Sequence, residues 1–118
     1  MSNFAKVHVN EDARTELHDQ LQLTGAEISI NNLPAGAGVP FSHHHKQNEE
    51  IYAILSGKGQ VVIDGETIAL EQGDWVRISP VAKRQFSAAS DSAMSFICIQ
   101  TKENSLEQYT MTDGVVDE

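Results

Sequence analysis

FSHHHKQNEEIYAILSGKG, residues 41–59, places three consecutive histidines and two glutamates directly before an apolar run. The run Glu50–Leu55, rich in Ile, Leu and an aromatic and closed off by Gly57 and Gly59, reads as a β-strand. In an extended chain alternate side chains share a face, so His43 and His45 point one way and His44 the other. Two imidazoles about 7 Å apart along a strand can converge on one ion. The polar turn 46–49 is long enough to bring Glu50 back beside them. Two neutral imidazoles and one carboxylate suit a divalent transition metal and leave open positions on its far side. The same residues also read as a solvated turn whose histidines titrate freely, and composition leaves both readings open.

Outward from this stretch, strand signals recur at the roughly 8–12 residue spacing of an all-β sandwich or barrel. They fall at Ala26–Asn31, Gln60–Asp64, Thr67–Leu70, Trp75–Ile78, Arg84–Ala88 and Met94–Gln100. Between two of them, VVIDGETIAL supplies Asp64-Gly65, the pair that accepts the positive φ angles of a tight hairpin. Glu71-Gln72-Gly73-Asp74 makes a second turn toward Trp75. One stretch departs from this pattern. Ala13, Leu17 and Leu21 recur every four residues behind Asn10 and Asp12, which predicts a short N-terminal helix of roughly two to three turns. From Lys102 onward the chain is polar and weakly patterned, and is expected to trail along the surface and fray at Val115–Glu118. The organisation expected is a single domain, residues 1–118, with a barrel core over about 26–100, an N-terminal arm over 1–25 and a C-terminal tail over 101–118.

Composition narrows the partners. A chain of 118 residues suits one domain that buries about two-thirds of its unfolded surface. The formal net charge of −9 opposes polyanions, and Lys83-Arg84 is the one local basic pair, so neither nucleic acid nor an anionic membrane is expected as a partner. No apolar run approaches the roughly 18 residues of a membrane helix, and MSNFAKVHVNEDARTEL lacks the basic-then-apolar order of a signal peptide, which points to a cytoplasmic protein. The single cysteine, Cys98, lies in an apolar run and reads as a core thiol.

His43-x-His45-x4-Glu50-x6-Gly57 resembles the first motif of the cupin family, and GDWVRISPVAKRQF, residues 73–86, resembles the second. The resemblance runs over about residues 26–100. It implies a small antiparallel β-barrel or jelly roll, in agreement with the strand count. It further implies a divalent metal (Fe, Mn, Ni, Zn or Cu, not distinguished) on His43, His45 and Glu50, and a homodimer formed through outer sheet faces. For the latter, Ile51, Ala53 and Leu55 would lie opposite Glu50. The second motif departs from the family: Arg84 stands where a fourth ligand, a histidine, is usual, with Ser79, Val81 and Ala88 also different, and Gly38 precedes His43 by one residue less than usual.

A guanidinium offers donors only and cannot ligate a metal in the ordinary way. Strand parity turns Arg84 inward with Phe86 and Ala88, and three arrangements are open. It forms a bidentate pair with Glu50, it stands beside a three-ligand metal and holds an anionic substrate, or it swings out to solvent. With it, Tyr52, Ile54, Phe86, Met94 and Phe96 make the expected substrate pocket. Gln60 and Gln100 read as rim residues, Trp75 as core or dimer contact, and His8 and His18 as surface.

The reading that results is a small cupin binding a divalent metal and acting on or sensing a small polar or anionic molecule. Were it an enzyme, the family implies an oxygenase, isomerase or decarboxylase. The alternatives are a metal-free binding module with a Glu50–Arg84 clamp and a metal-free sugar-nucleotide isomerase with a histidine base.

Overall fold

In the computed structural model, which describes residues 3–108 and 110–117, the hairpin at Asp64-Gly65 forms as the sequence predicts. Both residues take positive φ, 49° and 87°, and they join β3 (Asn48–Ile63) to β4 (Glu66–Glu71) in a register that pairs Ile63 with Glu66. The two strands expected on either side of Gly57 are one strand, β3, of 16 residues. Its register against β7 (Met94–Lys102) shifts between Ile54 and Ser56, so Leu55 is the extra residue of a bulge. Gly57 follows at φ 74°, packed so closely that a Cβ there would overlap the Ala93 carbonyl oxygen. Only glycine suits both the angle and the approach.

The bend lets one strand serve two sheets. The first half of β3 pairs with β7 and with β5 (Trp75–Ile78), and the second half with β4 and β6 (Arg84–Ala88). Beyond β7 the first sheet continues through β2 (Glu27–Leu33) to β1 (Arg14–Glu16). Every pairing is antiparallel, and the path β1-β2-β7-β3-β4 runs open from end to end. The expected all-β antiparallel architecture is thus present. Alternation along the strands sends Ser29 and Asn31, Glu50 and Tyr52, Arg84 and Phe86, and Phe96 and Cys98 to the buried face. There Phe86 stacks on Phe96 at 5.1 Å between ring centroids and Tyr52 lies 4.2 Å from Phe86.

The N-terminal arm differs from expectation. In place of a helix of two to three turns, residues 14–16 form β1 and only one turn, α1 (His18–Leu21), is helical. Asn10 and Asp12 do not cap it; its N-cap is Leu17, without a side-chain hydrogen bond. A short isolated helix is marginal in water, whereas the edge of β2 offers a ladder of backbone partners. Arg14 pairs with Asn31, and Leu17 donates its amide to Ile28 and buries its side chain. The four-residue spacing of Ala13, Leu17 and Leu21 was therefore coincidental. In the tail, a second turn, α2 (Thr110–Asp113), appears where none was expected, and Glu118 lies outside the described residues. Among the described residues, no helix is long and apolar enough to cross a membrane.

Candidate metal centre and its pocket

Residues 38–45 run beside β6 without forming a regular strand. Gly38 bridges Ser87, His43 and Arg84 exchange both backbone hydrogen bonds at 3.1 and 2.9 Å, and the His45 amide donates to Pro80 O at 2.8 Å. This extended path realises the alternation expected from the sequence: His43 and His45 face inward, half-buried, and His44 is exposed. Their rings meet edge to face with centroids 5.2 Å apart. Glu50 reaches them from the inner face of β3, where Ile78 and Gln100 flank its backbone.

Glu50 is 2% exposed, and its carboxylate is the hub of the site. Oε1 accepts hydrogen bonds from Tyr52 Oη at 2.5 Å and Arg84 Nη1 at 3.2 Å. Oε2 accepts from the Cys98 thiol at 3.3 Å and is hydrogen-bonded to His45 Nε2 at 2.9 Å, while His43 Nε2 stands 3.7 Å from Oε1. Arg84 has no solvent exposure. Its second amino group donates to Ser79 O at 2.6 Å, so it grips Glu50 through one nitrogen, not as a bidentate fork, and its Nε has no hydrogen-bond partner. Of the three arrangements open for Arg84, the ion pair is present in this single-contact form and the outward rotamer is not.

These contacts set protonation states. Burial works to raise the Glu50 carboxyl. The Tyr52 hydrogen bond, the neighbouring His45 ring, the Cys98 thiol and Arg84 outweigh it and hold the group below the usual carboxylate value. His43 is lowered, first by burial and then by Arg84, His45 and Arg14, against the opposing pull of Glu50. Burial pushes Tyr52 well above its ordinary value and Cys98 up to about 12, so both are protonated donors.

The donor set fits a divalent transition metal. Among the described residues His43, His45 and Glu50 offer one ligand atom each, all within 4.8 Å of one another. Metal bonds of about 2.1 Å at right angles separate neighbouring ligand atoms by about 3 Å, close to the 2.9 Å between His45 Nε2 and Glu50 Oε2. Tyr52 and Arg84 bond Oε1 and the Cys98 thiol bonds Oε2, which gives the carboxylate the outer hydrogen bonding that orients a metal ligand, and Oε2 is the oxygen beside His45.

A cavity of about 550 Å³ opens from this centre. Tyr52, Phe86 and Phe96, three of the residues expected around a substrate, line it with Leu33, Val39 and Phe41. Arg84, Ile54 and Met94 are not among the lining residues: Arg84 sits behind Glu50, and the other two are buried in the core. Sequence reasoning missed three contributors. Cys98 touches both the cavity and Glu50, which its two-residue alternation with Phe96 and Gln100 signals. Arg14, hidden by the helical assignment of the arm, and Asn31, the last residue of the expected strand Ala26–Asn31, also line the cavity.

A cupin-domain family model matches residues 30–100. A cupin protein from Bacteroides fragilis is 69% identical over the full length of both chains, with a TM-score of 0.97. A cupin 2 conserved barrel domain protein from Salinispora arenicola shares the fold at 19% identity, covering 81% of this chain and 82% of that one, with a TM-score of 0.68. An uncharacterised protein from Methanocaldococcus jannaschii is 30% identical over 56 residues, a match spanning 48% of this chain and 45% of that protein. Together with the paired histidines and glutamate at the mouth of an antiparallel sheet fold, these matches place the chain in the cupin family.

Proposed function

We propose that this cupin binds a divalent transition metal through His43, His45 and Glu50 and holds a small molecule in the adjoining cavity. The observation that carries the reading is the convergence of both imidazole Nε2 atoms on one buried, ionised carboxylate facing that cavity. An ion bound there supplies a Lewis-acid centre with open positions toward the ligand. The chain's own residues keep the site ready for it: Tyr52, Cys98 and Arg84 hold Glu50 ionised and fixed, and the lowered pKa of His43 favours its neutral, ligating form. The lining is mostly apolar, which favours a compact ligand with one charged end over a sugar nucleotide.

Metal analysis by plasma mass spectrometry on untagged protein tests this, with His43→Ala and His45→Ala beside wild type. Both histidines are partly exposed, so the variants retain the fold. Wild type is expected to carry close to one ion per chain after loading and dialysis, and each variant to lose most of it. Wild type that stays empty in excess metal refutes the reading. The buried Glu50–Arg84 pair favours a second reading, a metal-free binding module, in which ligand-induced stabilisation is unchanged by a chelator.

Self-association fits the outer face of the first sheet. Ile28, Ile30, Ile51, Ile97 and Ile99 share the side turned from the cavity, beside Trp75, which is 67% exposed. A homodimer packed on that face is expected to dissociate in Trp75→Arg, read by sedimentation.

A further inference from the structure

Arg14 is the one arginine or lysine lining the cavity among the described residues, and it takes no part in the metal centre. β1 lays it across the open side: its register partner is Asn31, whose own partner on β7 is Phe96, so all three share the inner face. Arg14 Nη1 donates to Asn31 Oδ1 at 2.8 Å, and the buried Asn31 is held in turn by donating to Ser29 Oγ at 3.1 Å. The contact from Nε to Glu16 Oε1, at 3.3 Å, is exposed and weak. The guanidinium is thereby oriented from behind, with Nη2 unengaged by any group among the described residues. It lies close enough to the centre for its charge to act on His43 and Cys98. The backbones of β1 and β3 are three strand spacings apart, about 14 Å.

We infer that Arg14 is the anchor for the ligand's carboxylate, and that the ligand is a small carboxylic acid with an aromatic or branched apolar body. A planar fork with unused donors matches a carboxylate. Between Arg14 and the centre the wall is Leu33, Val39, Phe41, Phe86 and Phe96, which desolvates a ring or branched chain and offers it few polar partners. The chain as a whole carries −9, so this local positive charge selects the end of the ligand that enters next to β1. The inference rests on the proposal that the cavity holds a small molecule, and does not require the metal.

The test is calorimetric titration of benzoate and cyclohexanecarboxylate, with benzamide as the neutral isostere, into wild type, Arg14→Gln and Arg14→Lys. Each protein is titrated metal-loaded and after chelation, with its metal content measured. Wild type is expected to bind at least one of the acids, and to bind benzamide more weakly than benzoate. Arg14→Gln should lose about tenfold to a hundredfold in acid affinity with metal content and circular dichroism unchanged, and Arg14→Lys should recover part of the loss. Equal acid affinity in Arg14→Gln and wild type overturns the inference, as does a wild type that binds neither acid. Chelated or metal-free protein that still binds benzoate through Arg14 supports it while counting against a metal requirement. Metal-loaded protein indifferent to Arg14 sinks this inference and leaves the metal reading standing.

Discussion

Replacing Arg84 by methionine removes one partner of an ion pair sealed from water, with Arg84 at 0% and Glu50 at 2% exposure. Breaking a buried pair typically costs about 3–5 kcal/mol because a charge is left uncompensated. Glu50 keeps its bonds to Tyr52, His45 and Cys98, so the lower end, about 3 kcal/mol, applies. At about 2.1 cal/mol/K of unfolding entropy per residue over 118 residues, that lowers Tm by about 12 °C. Adding Glu50→Gln, which removes the orphaned charge, should restore most of the loss, so the double-variant cycle shows strong coupling. Loading with zinc should stabilise Arg84→Met more than wild type, since the ion returns the missing positive charge. Urea unfolding of the four proteins, with and without zinc, decides it. A loss below about 1 kcal/mol, or two single losses that simply add, would refute the placing of Arg84 as the counter-charge of Glu50.

Tyr52→Phe deletes the hydroxyl that donates to Glu50 Oε1 and should cost about 1–3 kcal/mol. It should also raise the Glu50 pKa, followed by carboxyl NMR titration; an unmoved pKa contradicts the hub role. Acid should destabilise the fold in two stages. His43 is lowered below 6.5 in the fold, so its contribution is full above 6.5 and is lost as pH falls below that value toward its folded pKa. Glu50 is lowered below 4.5, so its contribution is full above 4.5 and is lost as pH falls through the lower, folded value. Urea midpoints should stay level from pH 7.5 to about 6.5 and decline below it as first His43 and then Glu50 takes up a proton, and a rise between 6.5 and 4.5 contradicts the assignment for His43.

Strand positions around the centre were legible because period-two alternation is a local property. The ends predicted for β5 and β6 agree with the structure residue for residue, and His43 and His45 share a face as their spacing requires. The union of two strands into β3 was not legible, since Gly57 and Gly59 read equally as a turn or as a crossing point. The crossing is decided by Ala93, distant in sequence, against which Gly57 packs. The N-terminal arm failed for a related reason: a three-residue edge strand carries no periodicity of its own and exists only because β2 is beside it. Arg14 went unseen with it. The inward turn of Arg84 followed from parity, but its grip through one nitrogen depends on Ser79 O, which only the loop geometry supplies.

The replacement of a ligand by a permanent cation has an energetic consequence for the whole site. With neutral imidazoles, Glu50 and Arg84 cancel, so the empty centre is neutral and the carboxylate stays ionised whether or not metal is present. A divalent ion then leaves two uncompensated positive charges in a space walled by aromatic rings, where Coulomb interactions are several times stronger than in water. A carboxylate ligand relieves that charge, so metal and acid should bind cooperatively, each raising the affinity of the other by the same factor. Competition titration of zinc in the presence and absence of saturating benzoate should show tighter metal binding with the acid, by about 5-fold or more. The gain should persist in part in Arg14→Gln, whose missing charge is not the one the ion adds. Zinc affinity indifferent to benzoate, in a protein that binds both, would mean that the ion's charge is already compensated within the fold and that the Glu50–Arg84 pair opens when metal enters.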